Sequence, residues 1–183
     1  RFGDDRTVLL KRQGNVALEV QAWKGLDLMQ TCGRLKAEFD TVQSKPEVIC
    51  VDSIGVGGGV VDRLLELGLP VIGINVSEAP AIGNYRNLRS ELWFRVKDWL
   101  VKRVGKLPRD EILIAELCRA RYFYSSNGKI QVESKDDMKK RGIKSPDLAD
   151  ALCLTFAAPE AGYLNGSGYK WATPVLRRIP GLV

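Results

Sequence analysis

The chain has 183 residues, 45% of them hydrophobic and 27% charged, enough to bury one core and too few for two well-sized domains. It contains no histidine, which removes the commonest general base and the commonest transition-metal ligand, so any catalysis has to run on carboxylates. Lysine and arginine outnumber aspartate and glutamate 28 to 22, a formal charge of +6 with a pI of about 9.2, which favours a polyanionic partner.

No stretch reaches the roughly 18 uninterrupted apolar residues of a bilayer span, and Arg1 to Arg6 are charged rather than signal-like, so a soluble, cytoplasmic protein is expected. Cys32, Cys50, Cys118 and Cys153 stand alone at wide spacing, which suggests buried, reduced thiols rather than disulfides or a zinc site.

In chain order, Thr7 to Lys11 and Val16 to Ala22 flank the turn signal Gly14-Asn15 and predict a β-hairpin. Asp27 is a candidate N-cap for a helix carrying Leu28, Leu35, Phe39 and Val42 and stopped by Lys45-Pro46. Glu47 to Asp52 is a short apolar run ending in a carboxylate, as a buried parallel strand does when its C-terminal end faces a site. Gly55 to Gly59 reads as a tight strand-to-helix turn before a helix from about Val60 to Leu67, and Val71 to Val76 is a second strand. Residues 77–87 form a loop, and Leu88, Leu92, Val96 and Trp99 mark one face of a long helix. A short helix follows Pro108, Tyr122 to Tyr124 and Lys129 to Glu133 pair about Asn127-Gly128, and a last helix spans about Pro146 to Ala157. The tail, 159–183, is expected to be an extended arm.

Three places can carry chemistry. Asp52, at a strand exit, would sit at the rim of the sheet near solvent, where it can hold a cation or cap the following turn. Asp147 and Asp150 are three residues apart and share one face of a first helical turn, where they can bind metal or complement the helix dipole. The glycine run lacks the lysine and hydroxyl of a phosphate loop and has no acidic residue closing the next strand, so it fits neither nucleotide fingerprint. A strand-end aspartate plus a helical aspartate pair in a histidine-free basic chain is the donor set of an oxygen-only Mg²⁺ or Mn²⁺ site.

The segments RFGDDRTVLL, VICVDSIGVGGGVVDRLLELG, NYRNLRSELWFRVKDWL and ESKDDMKKRGIKSPDLADALCLTFA, in this order, resemble the nuclease domain of the large terminase subunit of tailed bacteriophages over most of residues 1–158. The resemblance implies an α/β, ribonuclease H-like fold, a central mixed β-sheet flanked by helices, whose acidic cluster binds two divalent ions, Mg²⁺ or Mn²⁺. It implies cleavage of concatemeric double-stranded DNA in the cytoplasm of an infected bacterium. Expected partners are an upstream terminase ATPase domain, the portal and the small terminase subunit. Position by position, the family's second catalytic acid falls on Asp52 and its last acidic group on Asp147 and Asp150. The family's first acid lies on a strand ahead of Arg1, so the domain, residues 1–158, is expected to lack its first strand, with Asp4 and Asp5 as loop carboxylates. Arg86, Arg89, Lys135, Lys139, Lys140, Arg141 and Lys144 are the candidate DNA contacts. Two alternatives share this fold: a non-catalytic DNA-binding or portal-docking module, and a nuclease acting on branched DNA in the manner of a Holliday-junction resolvase.

Overall fold

The computed structural model describes residues 6–158, so Asp4, Asp5 and the predicted arm lie outside the described residues. The chain opens with β1 (Arg6–Gln13) and β2 (Val16–Lys24), an antiparallel hairpin turning at Gly14, whose φ of +54° suits glycine. Helix α1 (Leu28–Thr41) starts in a capping box: Gln30 N donates to Asp27 Oδ1 at 2.7 Å while Asp27 N donates to Gln30 Oε1 at 3.0 Å. A strand-helix-strand unit follows in the expected order, β3 (Ile49–Asp52), α2 (Val56–Glu66) and β4 (Val71–Ile74), with β3 and β4 parallel. Then come α3 (Leu88–Val101), α4 (Glu111–Arg119), the hairpin β5 (Tyr122–Tyr124) and β6 (Ile130–Val132), α5 (Lys135–Lys140) and α6 (Asp147–Leu154).

Two features depart from the sequence reading. The glycine run is a turn only at its start, where Gly55 has a φ of +64°: Gly57, Gly58 and Gly59 belong to the first turn of α2, which begins four residues earlier than expected. A Cβ on Gly57 would lie 1.7 Å from the backbone oxygen of Asp52, and one on Gly59 would lie 2.5 Å from Leu28 Cδ1. The glycines therefore let α2 sit directly against the end of β3 and against α1. The sheet is likewise not continuous by hydrogen bonding. Parallel and antiparallel ladders are both present, but among the described residues they form three separate strand pairs. Helix α6 packs across β1, β2 and β3, so side-chain packing rather than a shared ladder keeps these pairs together.

Two apolar clusters result. One is built by Leu92, Val96 and Trp99 of α3, Leu113 of α4 and Leu148, Leu152 and Cys153 of α6, closed by Leu10 and Val132 from the hairpins. The other joins Cys32 of α1, Val60 and Leu64 of α2, and Val71 of β4. Leu64, Leu113 and Leu152 are fully buried, so truncating any one to alanine costs about 2–5 kcal/mol. All four cysteines are free, as expected, but Cys118 is exposed because it lies on the outer side of the amphipathic α4.

Candidate metal centre

Asp52 closes β3, and its Oδ1 accepts a hydrogen bond from Ile54 N at 3.1 Å, while the carboxylate also lines a cavity. It makes no ion pair among the described residues, so its second oxygen is open to a ligand.

Asp147 and Asp150 begin α6, whose N-cap position, Pro146, gives no side-chain bond. The start of this helix is held from a distance instead: Leu148 N and Ala149 N donate to Glu116 Oε2 of α4 at 2.8 and 3.0 Å. Glu116 also accepts from Arg6 Nη2. Burial pushes the Glu116 carboxyl above its ordinary range, against the pull of the Ala149 N–H and of Arg6. A buried glutamate thus fixes the orientation of the turn that carries both aspartates.

Asp147 is buried; its Oδ1 accepts from Ser145 Oγ at 2.6 Å and its Oδ2 from Arg6 N at 3.0 Å. Asp150 Oδ1 accepts from Arg89 Nε at 3.1 Å and from Trp93 Nε1 at 2.9 Å. Its Oδ2 is buried without a hydrogen-bond partner. Lys135 Nζ reaches over both aspartates, 3.5 Å from Asp147 Oδ1 and 3.3 Å from Asp150 Oδ2. Burial lowers the Lys135 pKa, but the charges of Asp150 and Asp147 together outweigh it, and the net direction is upward. The ammonium is therefore a fixed positive charge over the acidic turn.

Asp52, Arg89, Lys135 and Asp150 line one small cavity with Val76, Leu92 and Cys153. It adjoins a wider cleft of about 400 Å³, bordered by Asp52, Gly57, Asn87, Arg89, Gln131 and Lys135. Folding thus brings Asp52 and Asp150 to one cavity, and Lys135 ties Asp147 to Asp150. No three Asp, Glu or Cys groups among the described residues converge closely enough to form a ready ion shell. Three carboxylates, Asp147, Asp150 and Glu116, are instead neutralised by three cations, Arg6, Arg89 and Lys135.

The basic residues divide by position. Arg89 and Lys135 are engaged with the aspartates, Arg141 pairs with Glu133, and Lys140 pairs with Asp137. Arg86, Lys139 and Lys144 have exposed side chains with no ion pair among the described residues. Arg6, Trp93 and Glu116 carry no sequence signal as parts of this site, since their bonds to α6 or its aspartates span 32 to 141 positions, whereas Ser145 lies only two positions from Asp147.

This α/β domain, in which Asp52 at the end of β3 shares a cavity with Asp150 of the first turn of α6, has a ribonuclease H-like fold. Within that class, the chain has the fold of the nuclease domains of phage large terminase subunits. A variant nuclease domain of the large terminase subunit gp2 of bacterial virus Sf6, with manganese and beta-thujaplicinol, matches at a TM-score of 0.75 and 23% identity, covering 86% of this chain and 84% of that one. The large terminase nuclease of thermophilic phage G20c matches at a TM-score of 0.59 and 14% identity, covering 85% of this chain and 84% of that one. The same G20c nuclease with bound magnesium matches at 0.60 and 16%, covering 85% and 83%. No protein-family model and no curated protein sequence matches the chain. At these identities the likeness establishes the fold.

Proposed function

We propose that this chain is the metal-dependent nuclease domain of a viral DNA-packaging terminase, hydrolysing phosphodiester bonds of concatemeric double-stranded DNA at Asp52, Asp147 and Asp150. The observation that carries the reading is Asp150 Oδ2, a buried carboxylate oxygen that faces the Lys135 ammonium at 3.3 Å and takes no hydrogen bond from Arg89 or Trp93, beside a cavity that Asp52 shares. A buried carboxylate oxygen needs a compensating charge, which the ammonium supplies here and a hard divalent ion can supply in its place. The all-oxygen donor set fits Mg²⁺ or Mn²⁺, the ions present with the Sf6 and G20c domains. Two such ions, when bound, supply an activated water and charge neutralisation at the phosphate.

The chain's own residues do the rest. Asp52 presents its open oxygen from the rigid end of β3. Asp147, oriented by Ser145 and the Arg6 backbone, and Asp150, oriented by Trp93, present theirs from α6. Lys135 lines both the small cavity and the cleft, where its ammonium would be within reach of a phosphate if a cation took its place beside the aspartates. Arg86, Lys139 and Lys144 hold the DNA backbone through sequence-independent contacts. In the packaging machine the domain would work beside an ATPase domain, the portal and the small subunit, in the host cytoplasm.

Plasmid cleavage tests this. The chain, or a version extended upstream by one strand, should nick or linearise DNA with Mn²⁺ and not with EDTA, and Asp52→Asn and Asp147→Asn should abolish cutting without unfolding. Metal-dependent cutting by either variant refutes the assignment. The neutral pairing of the acidic turn favours one second reading, a non-catalytic DNA-binding module of the same fold. That reading predicts equal DNA affinity with and without metal and no cleavage by the extended chain.

A further inference from the structure

Asp150 is held by an unusual pairing. Arg89 and Trp93 are four residues apart on α3 and therefore share a face, and both donate to the same oxygen, Asp150 Oδ1, at 3.1 and 2.9 Å. An arginine facing a carboxylate ordinarily closes a two-bond fork, using both oxygens. Here the fork stays open. Arg89 Nη1 is drawn off to the backbone oxygen of Glu133 at 2.8 Å, and Arg89 Nη2 and Asp150 Oδ2 are both buried with no hydrogen-bond partner. The guanidinium also lies over the Trp93 ring, 5.4 Å from its centroid, a further contact that favours this arrangement of the two donors. Buried polar groups are ordinarily hydrogen-bonded. This ion pair saturates one carboxylate oxygen and leaves the other turned to Lys135 and the cavity.

We propose that Arg89 and Trp93 are positioning residues that clamp Asp150 by Oδ1, so that it offers Oδ2 alone to a divalent cation. The inference rests on the metal-site reading above and adds the residues that set the geometry of one ligand. It also reassigns Arg89, whose side chain serves Asp150 rather than a DNA phosphate.

Trp93→Phe keeps the buried ring and removes only the N–H; Arg89→Lys keeps the charge and removes the planar donor. Mn²⁺ affinity of each variant is measured by calorimetry on the full chain, at a temperature where all variants are folded, beside Asp150→Asn. In parallel, the Trp93 indole N–H proton resonance, assigned by its loss in Trp93→Phe, is followed during Mg²⁺ titration. The proposal predicts Mn²⁺ affinity at least tenfold weaker in both Trp93→Phe and Arg89→Lys, the lower end of the effect of removing an outer partner of a metal ligand. It also predicts a saturable shift of the indole resonance that Asp150→Asn abolishes. If Asp150→Asn weakens binding while Trp93→Phe and Arg89→Lys bind Mn²⁺ like the parent, the clamp is overturned and the metal site stands. If the parent binds no Mn²⁺, or Asp150→Asn binds it as the parent does, both fall.

Discussion

Lys135→Ala removes the one cation that stands over both aspartates of the acidic turn. Its ammonium lies 3.5 Å from Asp147 Oδ1 and 3.3 Å from Asp150 Oδ2, and at an effective dielectric of about 20 each contact is worth about 5 kcal/mol of gross attraction. The side chain is 42% exposed, so solvent screening and the entropy of fixing a lysine reduce the net contribution to about 1–2 kcal/mol. The metal-free variant should therefore unfold a few degrees lower, at about 2–4 °C per kcal/mol for a chain of this size. Divalent metal should act in the opposite sense. A cation entering the parent protein has to displace the ammonium, whereas in the variant it meets two carboxylates without a counter-charge, and each 1.4 kcal/mol of competition removed tightens binding tenfold. Thermal unfolding with and without Mn²⁺, together with calorimetric titration, reads both effects. A variant as stable as the parent without metal, and binding Mn²⁺ no more tightly, would refute the reasoning.

Gly57→Ala should be severe, because the new Cβ meets the backbone oxygen of Asp52 at 1.7 Å, whereas Gly58→Ala has only an ordinary 3.5 Å contact with Ser53 O. Gly57→Ala should lower the melting temperature by many degrees and Gly58→Ala hardly at all; equal behaviour would contradict the seating of α2 on β3. Glu133→Gln should destabilise at pH 7 through loss of the charged Arg141 contact. That contact, chiefly Arg141's hydrogen bonds, holds the Glu133 carboxyl below its ordinary range. The difference should therefore persist above the unfolded pKa near 4.5 and vanish as pH falls through the folded value, as urea unfolding against pH can show. Lys139→Ala and Lys144→Ala should each weaken duplex binding alike across sequences and reduce the slope of log affinity against log salt by about 1. Unchanged slopes would exclude these lysines from the DNA path.

The local features of the fold were readable because their causes are local. The Gly14 turn, the Asp27 cap and the strand-helix-strand order around β3 each rest on residues within a few positions of one another, and the structure has all of them. The glycine run misled because a helix start packed hard against a strand needs glycine for clearance as much as a turn needs it for freedom. Around the acidic turn the sequence shows two carboxylates on one helical face, but not what surrounds them. Glu116 reaches Leu148 across 32 positions, Trp93 reaches Asp150 across 57, and Arg6 reaches Asp147 across 141. No periodicity encodes such pairs. Lys135 shows the same limit: in sequence it belongs to a basic run, and only folding turns it inward.

The most direct test of the shared site is a crystal of this chain soaked in MnCl₂ and recorded at the manganese edge. The account predicts an anomalous peak in the cavity, within bonding distance of Asp150 Oδ2 and an Asp52 oxygen, with the Lys135 ammonium displaced toward the cleft. A soaked crystal in which Lys135 still bridges Asp147 and Asp150, and manganese is found only on surface carboxylates, would contradict it.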